Sequence, residues 1–279
     1  GWIRFIEMNY PELLDNLSTC KSPHQMFGAI LKSYYAKKAN IDPKKMFVVS
    51  VMPCIAKKFE RSRPEMRNDD LDNVDAVITT RELARMIKQA NLEFKNLEEG
   101  ALDDPMGEAT GAGAIFGTTG GVMEAALRTA AETITGKELD EIEFEEVRGE
   151  KGIKRATIDI EGKKINIVVA HGLSNARKIL EEIKQGKADY QFVEIMACPG
   201  GCIMGGGQPI VNSKTRSQVD VRAKRANALY EIDEKSKIRK SHENPAIKKL
   251  YSEFLEKPGS YRAHKLLHTH YEKREKYNK

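Results

Sequence analysis

Residues 194–209 read Glu-Ile-Met-Ala-Cys-Pro-Gly-Gly-Cys-Ile-Met-Gly-Gly-Gly-Gln-Pro, which sets two of the chain's four cysteines in a run of glycines. The residues leading to Met196 predict a strand, so Cys198 and Cys202 stand on the loop that leaves it. Such a loop can aim both sulfurs at one inorganic centre. Gly200, Gly201, Gly205, Gly206 and Gly207 keep side chains away and let backbone amides approach it. A second segment of the same kind lies upstream. Residues 46–52 form a short apolar run closed by Pro53, read as a buried strand, and Cys54 follows where that strand leaves its sheet.

Between and around these two loops the pattern alternates. Apolar spacing from Ile3 to Leu17 predicts an opening helix interrupted at Pro11, and a second helix begins after Ser22 and Pro23. Residues 75–79 read as a strand, and Thr80 with Glu82 opens a helix over 81–90. Residues 107–121 read as a glycine-rich loop feeding a helix over 122–134. Residues 156–160 and 164–170 read as a hairpin around Glu161, Gly162 and Lys163, followed by a helix over 174–184 and a strand over 190–196. After Pro209 only helices are expected. We therefore place a boundary near residue 215, with an α/β body over 1–215 and a helical appendage over 216–279 that must pack on it, since short helices alone bury little.

Composition narrows the function. The 279 residues are 40% hydrophobic and 31% charged, with a net charge of +5 and a mean hydropathy of −0.53, the profile of an ordinary folded protein. No apolar run reaches the roughly 20 residues that a membrane helix needs. The basic residues thicken after Arg216, but without interleaved aromatics or a recognition motif. They read as a solvated helical face or an acidic-protein contact, not as a nucleic-acid surface. Four cysteines in so long a chain are not a disulfide framework and point to a reducing, cytoplasmic setting. The chain opens on Gly1 and is helical in character from Trp2, so it is read as a piece of a longer protein.

Cys54, Cys198 and Cys202 supply three of the four thiolates that an iron–sulfur cubane takes. Cys20, between two helices and without a glycine or proline beside it, reads as a small packing residue. The glycines over 111–121 do not have the spacing of a dinucleotide fingerprint. His264 and His268 share a helix face without a carboxylate or cysteine at zinc-like spacing. His24 and His171 read as structural. Taken alone, Ser18 is a helix-end cap, Lys57 a solvated lysine, and Met52, Met196 and Phe116 are core.

The segments Met-Pro-Cys-x-x-Lys-x-x-Glu at 52–60 and Glu-x-Met-Ala-Cys-Pro-Gly-Gly-Cys-x-x-Gly-Gly-Gly-Gln-Pro at 194–209 resemble the second and third signatures of the iron-only (FeFe) hydrogenase family. The resemblance continues through residues 110–126 and into Ser241-His242-Glu243-Asn244-Pro245-Ala246 and Ala263-His264-Lys265-Leu266-Leu267-His268, which look like the family's small-subunit region. Only the last two residues of the first signature are present, as Gly1 and Trp2, so one cubane ligand and a proton-transfer thiol are absent from these residues.

The resemblance implies an α/β fold of two lobes with mixed sheets flanked by helices around a buried cluster, with an all-helical C-terminal extension. It makes Cys54 and Cys198 ligands of a 4Fe-4S cluster and Cys202 the thiolate shared with a diiron subcluster that carries carbon monoxide, cyanide and a bridging dithiolate. Lys57 then donates to a cyanide, Ser18 joins a proton relay, and Met52, Pro53, Phe116 and Met196 line the diiron pocket. The implied reaction is reversible reduction of protons to dihydrogen. The implied partners are ferredoxin or another electron carrier, maturation factors and the upstream part of the same protein. A non-catalytic relative that assembles clusters or senses hydrogen with a cubane alone is the alternative.

Overall fold

The computed structural model describes residues 1–137, 143, 144, 147, 148 and 151–276. Apolar spacing at the start folds as α1 (Trp2–Asn9), and Pro11 diverts the chain into a 3-10 segment, Pro11–Asn16, because proline cannot donate the N–H that a continuing α-helix requires. Then α2 (Pro23–Ile30) widens through a π turn, Leu31–Tyr35, into α3 (Ala36–Lys38).

The first sheet is a parallel pair. β1 (Val49–Met52) leads to α4 (Ala56–Glu60), a small hairpin of β2 (Arg67–Asn68) and β3 (Leu71–Asp72), and β4 (Ala76–Thr79), which pairs with β1 from Val49↔Ala76 to Met52↔Thr79. The strand expected over 46–52 is thus shorter and only half buried. Val49 and Val51 are 48% and 43% exposed, because β4 is its single partner among the described residues and those residues leave its other face bare. α5 (Thr80–Gln89) is fixed by a capping box one residue earlier than expected. The Glu82 amide donates to Thr79 Oγ1 at 3.2 Å, and the Thr79 amide donates to Glu82 Oε2 at 2.7 Å.

The segment read as a glycine loop contains a helix, α6 (Gly111–Ile115), capped by Thr110. Glycine is a poor helix former, but Ala112 and Ile115 are fully buried here, and packing overrides propensity. α7 (Gly121–Thr135) follows. β5 (Ile153–Ile160) and β6 (Lys163–His171) form the expected hairpin; its two turn residues, Glu161 and Gly162, both have positive φ, as the tight primed turn requires. After α8 (Leu173–Lys184), β7 (Phe192–Met196) joins β6 in parallel, which makes this second sheet mixed.

β6 is apolar on both faces because both are covered. Ile167 and Val169 pack under Met123 and Leu127 of α7, whereas Val168 and Ala170 pack on Ile179 of α8. The tail comprises α9 (Ser213–Gln218), α10 (Val221–Lys235), α11 (Pro245–Leu250) and α12 (Tyr261–Leu267). It packs on the body as its short helices demand: Leu250, Leu255, Ala263 and Leu266 close over Ala29, Ile30 and Tyr34. No helix among the described residues is long and apolar enough to cross a membrane.

Candidate metal centre

Both cysteine loops leave parallel strands at their carboxyl ends, where α/β sheets characteristically place ligands. Cys54 lies two residues beyond β1 and Cys198 two residues beyond β7. The loops are locked together by backbone. The Gly207 amide donates to Pro53 O at 2.8 Å, the Ile203 amide to Gly117 O at 3.0 Å and the Thr119 amide to Gly200 O at 3.2 Å. Two glycines make this possible. Gly201 has φ +100, and a Cβ there would stand 2.7 Å from Gly117 O; a Cβ on Gly205 would stand 2.2 Å from Pro53 O. Backbone meets backbone in both places, so neither contact can relax cheaply. Gly205→Ala should lower stability by about 2 kcal/mol or more, read as a fall of about 5 °C in the thermal midpoint.

Two of the thiols are held above their ordinary ionisation range. Burial and then the neighbouring Cys54 push Cys198 up. Burial also pushes Cys202 up, against the pull of the Lys57 ammonium and with the push of Cys54 and Cys198. Cys54, Cys198, Cys202 and Lys57 therefore lie close enough to act on one another electrostatically. Cys20 does not join them. It is exposed and bridges to His268, so it is neither a fourth ligand here nor the packing residue its surroundings suggested.

Lys57 projects from α4 and is only 21% exposed; its Nζ lies 3.3 Å from Glu60 Oε2. The plain reading of a solvated lysine gives way to one held by an anion. Ser18 is not a helix cap: its Oγ accepts from the Cys20 amide at 3.3 Å, and it borders a cavity of about 580 Å³ together with Cys20, Ile195 and Tyr271. Met52 and Met196 close β1 and β7, each partly buried just ahead of its cysteine loop. Phe116, after α6, lines a shallow groove with Val122, Ala126 and Ser241.

Two side chains carry roles that the sequence reading did not assign. Glu194 reaches from β7 to the start of α7 and accepts from the Gly120 and Met123 amides at 2.6 and 2.7 Å, which anchors the cysteine strand to the helix amino end. Burial pushes this carboxyl up while those amides and the Lys154 ammonium pull against it. A lone glutamate in an otherwise apolar strand was the available signal. The second is His24, buried as expected of a structural histidine, with Nδ1 3.0 Å from Ser50 Oγ and Nε2 2.6 Å from Glu60 Oε2. His264 and His268 stack on each other at 4.2 Å. His242 lies near Glu132 and Glu243, but the Lys240 ammonium already bridges those two carboxylates.

The donor set suits an iron–sulfur group. Soft thiolates favour iron, glycines let the two loops approach backbone to backbone, and an ammonium stands by to meet anionic ligands. The residues present account for three thiolate positions.

Comparison with known proteins gives the same reading from outside the chain. The sequence profile of the iron only hydrogenase large subunit, C-terminal domain, matches residues 1–206, and that of the iron hydrogenase small subunit matches 219–274. Iron hydrogenase 1 of Clostridium pasteurianum is 52% identical over 273 residues, 98% of this chain and 48% of that protein. The cytosolic Fe-S cluster assembly factor narfl of Xenopus tropicalis is 33% identical, over all of this chain and 58% of its own length. A solved [FeFe]-hydrogenase HydA1 from Chlamydomonas reinhardtii superposes with a TM-score of 0.82 at 43% identity, over 98% of this chain and 74% of that one. The chain spans about half the length of these sequence relatives. Profile, sequence and superposition agree with the two converging cysteine loops, and the chain belongs to the iron-only hydrogenase family.

Proposed function

We propose that the chain forms the catalytic portion of a hydrogenase that reversibly reduces protons to dihydrogen with electrons from ferredoxin or a similar carrier. The observation that carries this is the meeting of three thiols and one paired lysine at the carboxyl ends of two parallel strand pairs. Cys54 and Cys198 would hold a 4Fe-4S cubane, and Cys202 would hold both it and a diiron subcluster carrying carbon monoxide, cyanide and a dithiolate. When bound, that group supplies the electron transfer and the hydrogen chemistry. The protein's share is orientation, charge and exclusion of water.

Lys57 presents its ammonium to an anionic ligand, a contact worth about 1.5–3 kcal/mol where water is excluded. Met52, Pro53, Phe116 and Met196 form the dry wall of the diiron pocket. Ser18 Oγ, whose lone pair is engaged by the Cys20 amide, holds a proton that it can pass along the cavity it borders. The fourth cubane position is filled from outside these 279 residues, and maturation factors install the diiron part. Without that fourth ligand and the proton-transfer thiol, residues 1–279 by themselves turn over hydrogen poorly. Unpaired thiols suit a reducing, cytoplasmic setting.

A cluster-assembly relative without the diiron group is the second reading, favoured by 33% identity to narfl along the whole chain. The higher identity to Iron hydrogenase 1 and the held Lys57 favour catalysis. Anaerobic reconstitution of the chain with iron, sulfide and an added small thiol to fill the fourth position should load about four irons, be lost in Cys198→Ser and survive in Cys20→Ser. Failure to bind iron would remove the proposal. In the matured protein, infrared bands of metal-bound carbon monoxide and cyanide would mark the hydrogenase; their absence would leave the assembly relative.

A further inference from the structure

Glu60 Oε2 is the meeting point of three donors, two from the start of α2 and one from its own helix α4. Ser22 Oγ, beside the start of α2, donates at 2.8 Å. His24 Nε2 in the first turn of α2 lies at 2.6 Å, and Lys57 Nζ, three residues before Glu60 on α4, donates at 3.3 Å. His24 is itself braced by Ser50 of β1, at 3.0 Å from Nδ1. A ring protonated on Nε2, with Nδ1 accepting from the Ser50 hydroxyl, satisfies both contacts. Ser50 lies four residues before Cys54 in the chain, so the strand that delivers the cysteine also braces the clamp.

Lysine carries a flexible stem and gives up much rotamer freedom when it is held in one place. An exposed i,i+3 ion pair would do little to hold it. This pair is different, since Glu60 is only partly exposed and is held by two further donors, the half-buried Ser22 hydroxyl and the buried His24 ring, which Ser50 braces in turn. A fixed carboxylate gives a fixed ammonium.

We propose that Ser50, His24, Ser22 and Glu60 form a clamp that positions Lys57 Nζ beside the cysteine loops, with Glu60 and His24 as positioning residues for the ligand that Lys57 contacts. The assignment rests on the proposed hydrogenase reading for what Lys57 meets, but the clamp is built from this chain's residues and can be measured without any cluster.

The first test therefore uses the metal-free chain, with an amine-reactive reagent and residue-resolved mass spectrometry. Glu60→Gln should raise the labelling rate of Lys57 by about fivefold to tenfold, while Lys137, paired with Glu161 elsewhere on the surface, keeps its rate. Ser22→Ala and His24→Ala, milder changes, should give intermediate increases with unchanged circular dichroism, and His24→Gln, which retains an N–H donor, should restore part of the protection. Unchanged Lys57 labelling in folded Ser22→Ala and His24→Ala would overturn the clamp, whether or not Glu60→Gln folds.

The second test uses the matured protein. His24→Ala should shift or broaden the infrared cyanide bands and leave iron content intact; bands identical to those of the unchanged protein would overturn the positioning role. Absence of cyanide bands from the unchanged protein would instead remove the hydrogenase reading, with the labelling result still deciding the clamp. The two failures are thus distinguishable.

Discussion

In the full protein, Cys202→Ser should leave the Cys54 and Cys198 thiolates in place but abolish retention of the diiron group, and hydrogen turnover should fall by about a thousandfold or more, to background. Serine preserves size and the local turn, so the effect isolates the sulfur. A hydroxyl does not ionise at neutral pH as a metal-bound thiol does, and its oxygen is a harder donor that soft iron binds poorly. The backbone has no means of compensating. Residues 198–207 are held from both sides by hydrogen bonds that the Gly207 and Ile203 amides donate to the Pro53 and Gly117 carbonyls, and Gly201 and Gly205 leave no slack for a shorter side chain to move closer. Iron analysis would show loss of the diiron share, and the infrared bands of its carbon monoxide and cyanide would disappear. Cys20→Ser, at an exposed bridge to His268, should match the parent. Normal diiron occupancy in Cys202→Ser would refute the shared-thiolate role.

What the sequence made legible was mostly local. Cys54 and Cys198 stand at strand exits because proline or glycine ends each apolar run, and the Glu161-Gly162 turn follows from residues that tolerate positive φ. Less visible was anything decided by distant neighbours. α6 sits in a glycine-rich stretch with little helical propensity, and it forms because Ala112 and Ile115 find a buried seat. Val49 and Val51 read as buried from their chemistry alone, yet whether a strand face is covered depends on elements elsewhere in the chain. The site divides in the same way. Cysteine spacing and the Lys57 to Glu60 interval can be read directly, whereas the convergence of His24, Ser22 and Ser50 on that interval needs three elements to meet.

The largest stability effect lies where the tail meets the body. Asp233 of α10 is almost wholly buried. It accepts from Arg128 at 2.8 Å through each carboxylate oxygen and from Arg239 at 2.7 Å, and Arg128, with no exposed surface, also donates to Glu124 at 2.8 Å. Truncation strands a guanidinium. Asp233→Ala should cost about 3–5 kcal/mol, since what is lost includes the desolvation of a charge left without half its partners. For a chain of this size that is a fall of about 10 °C in the thermal midpoint. Asp233→Asn, which keeps one acceptor, should cost less. The carboxyl is held below its usual range: burial opposes its charge, but the hydrogen bonds from Arg128 and Arg239 outweigh burial. With a folded pKa below the unfolded value of about 3.9, the contribution is complete above that value and disappears as pH falls through the folded one. The acid limb of the stability curve should accordingly flatten in Asp233→Ala. A double change, Arg128→Met with Asp233→Leu, removes both charges and should destabilise less than the sum of the single changes. Additive losses would mean that the two helices are joined by packing alone and that the ion pair contributes nothing of its own.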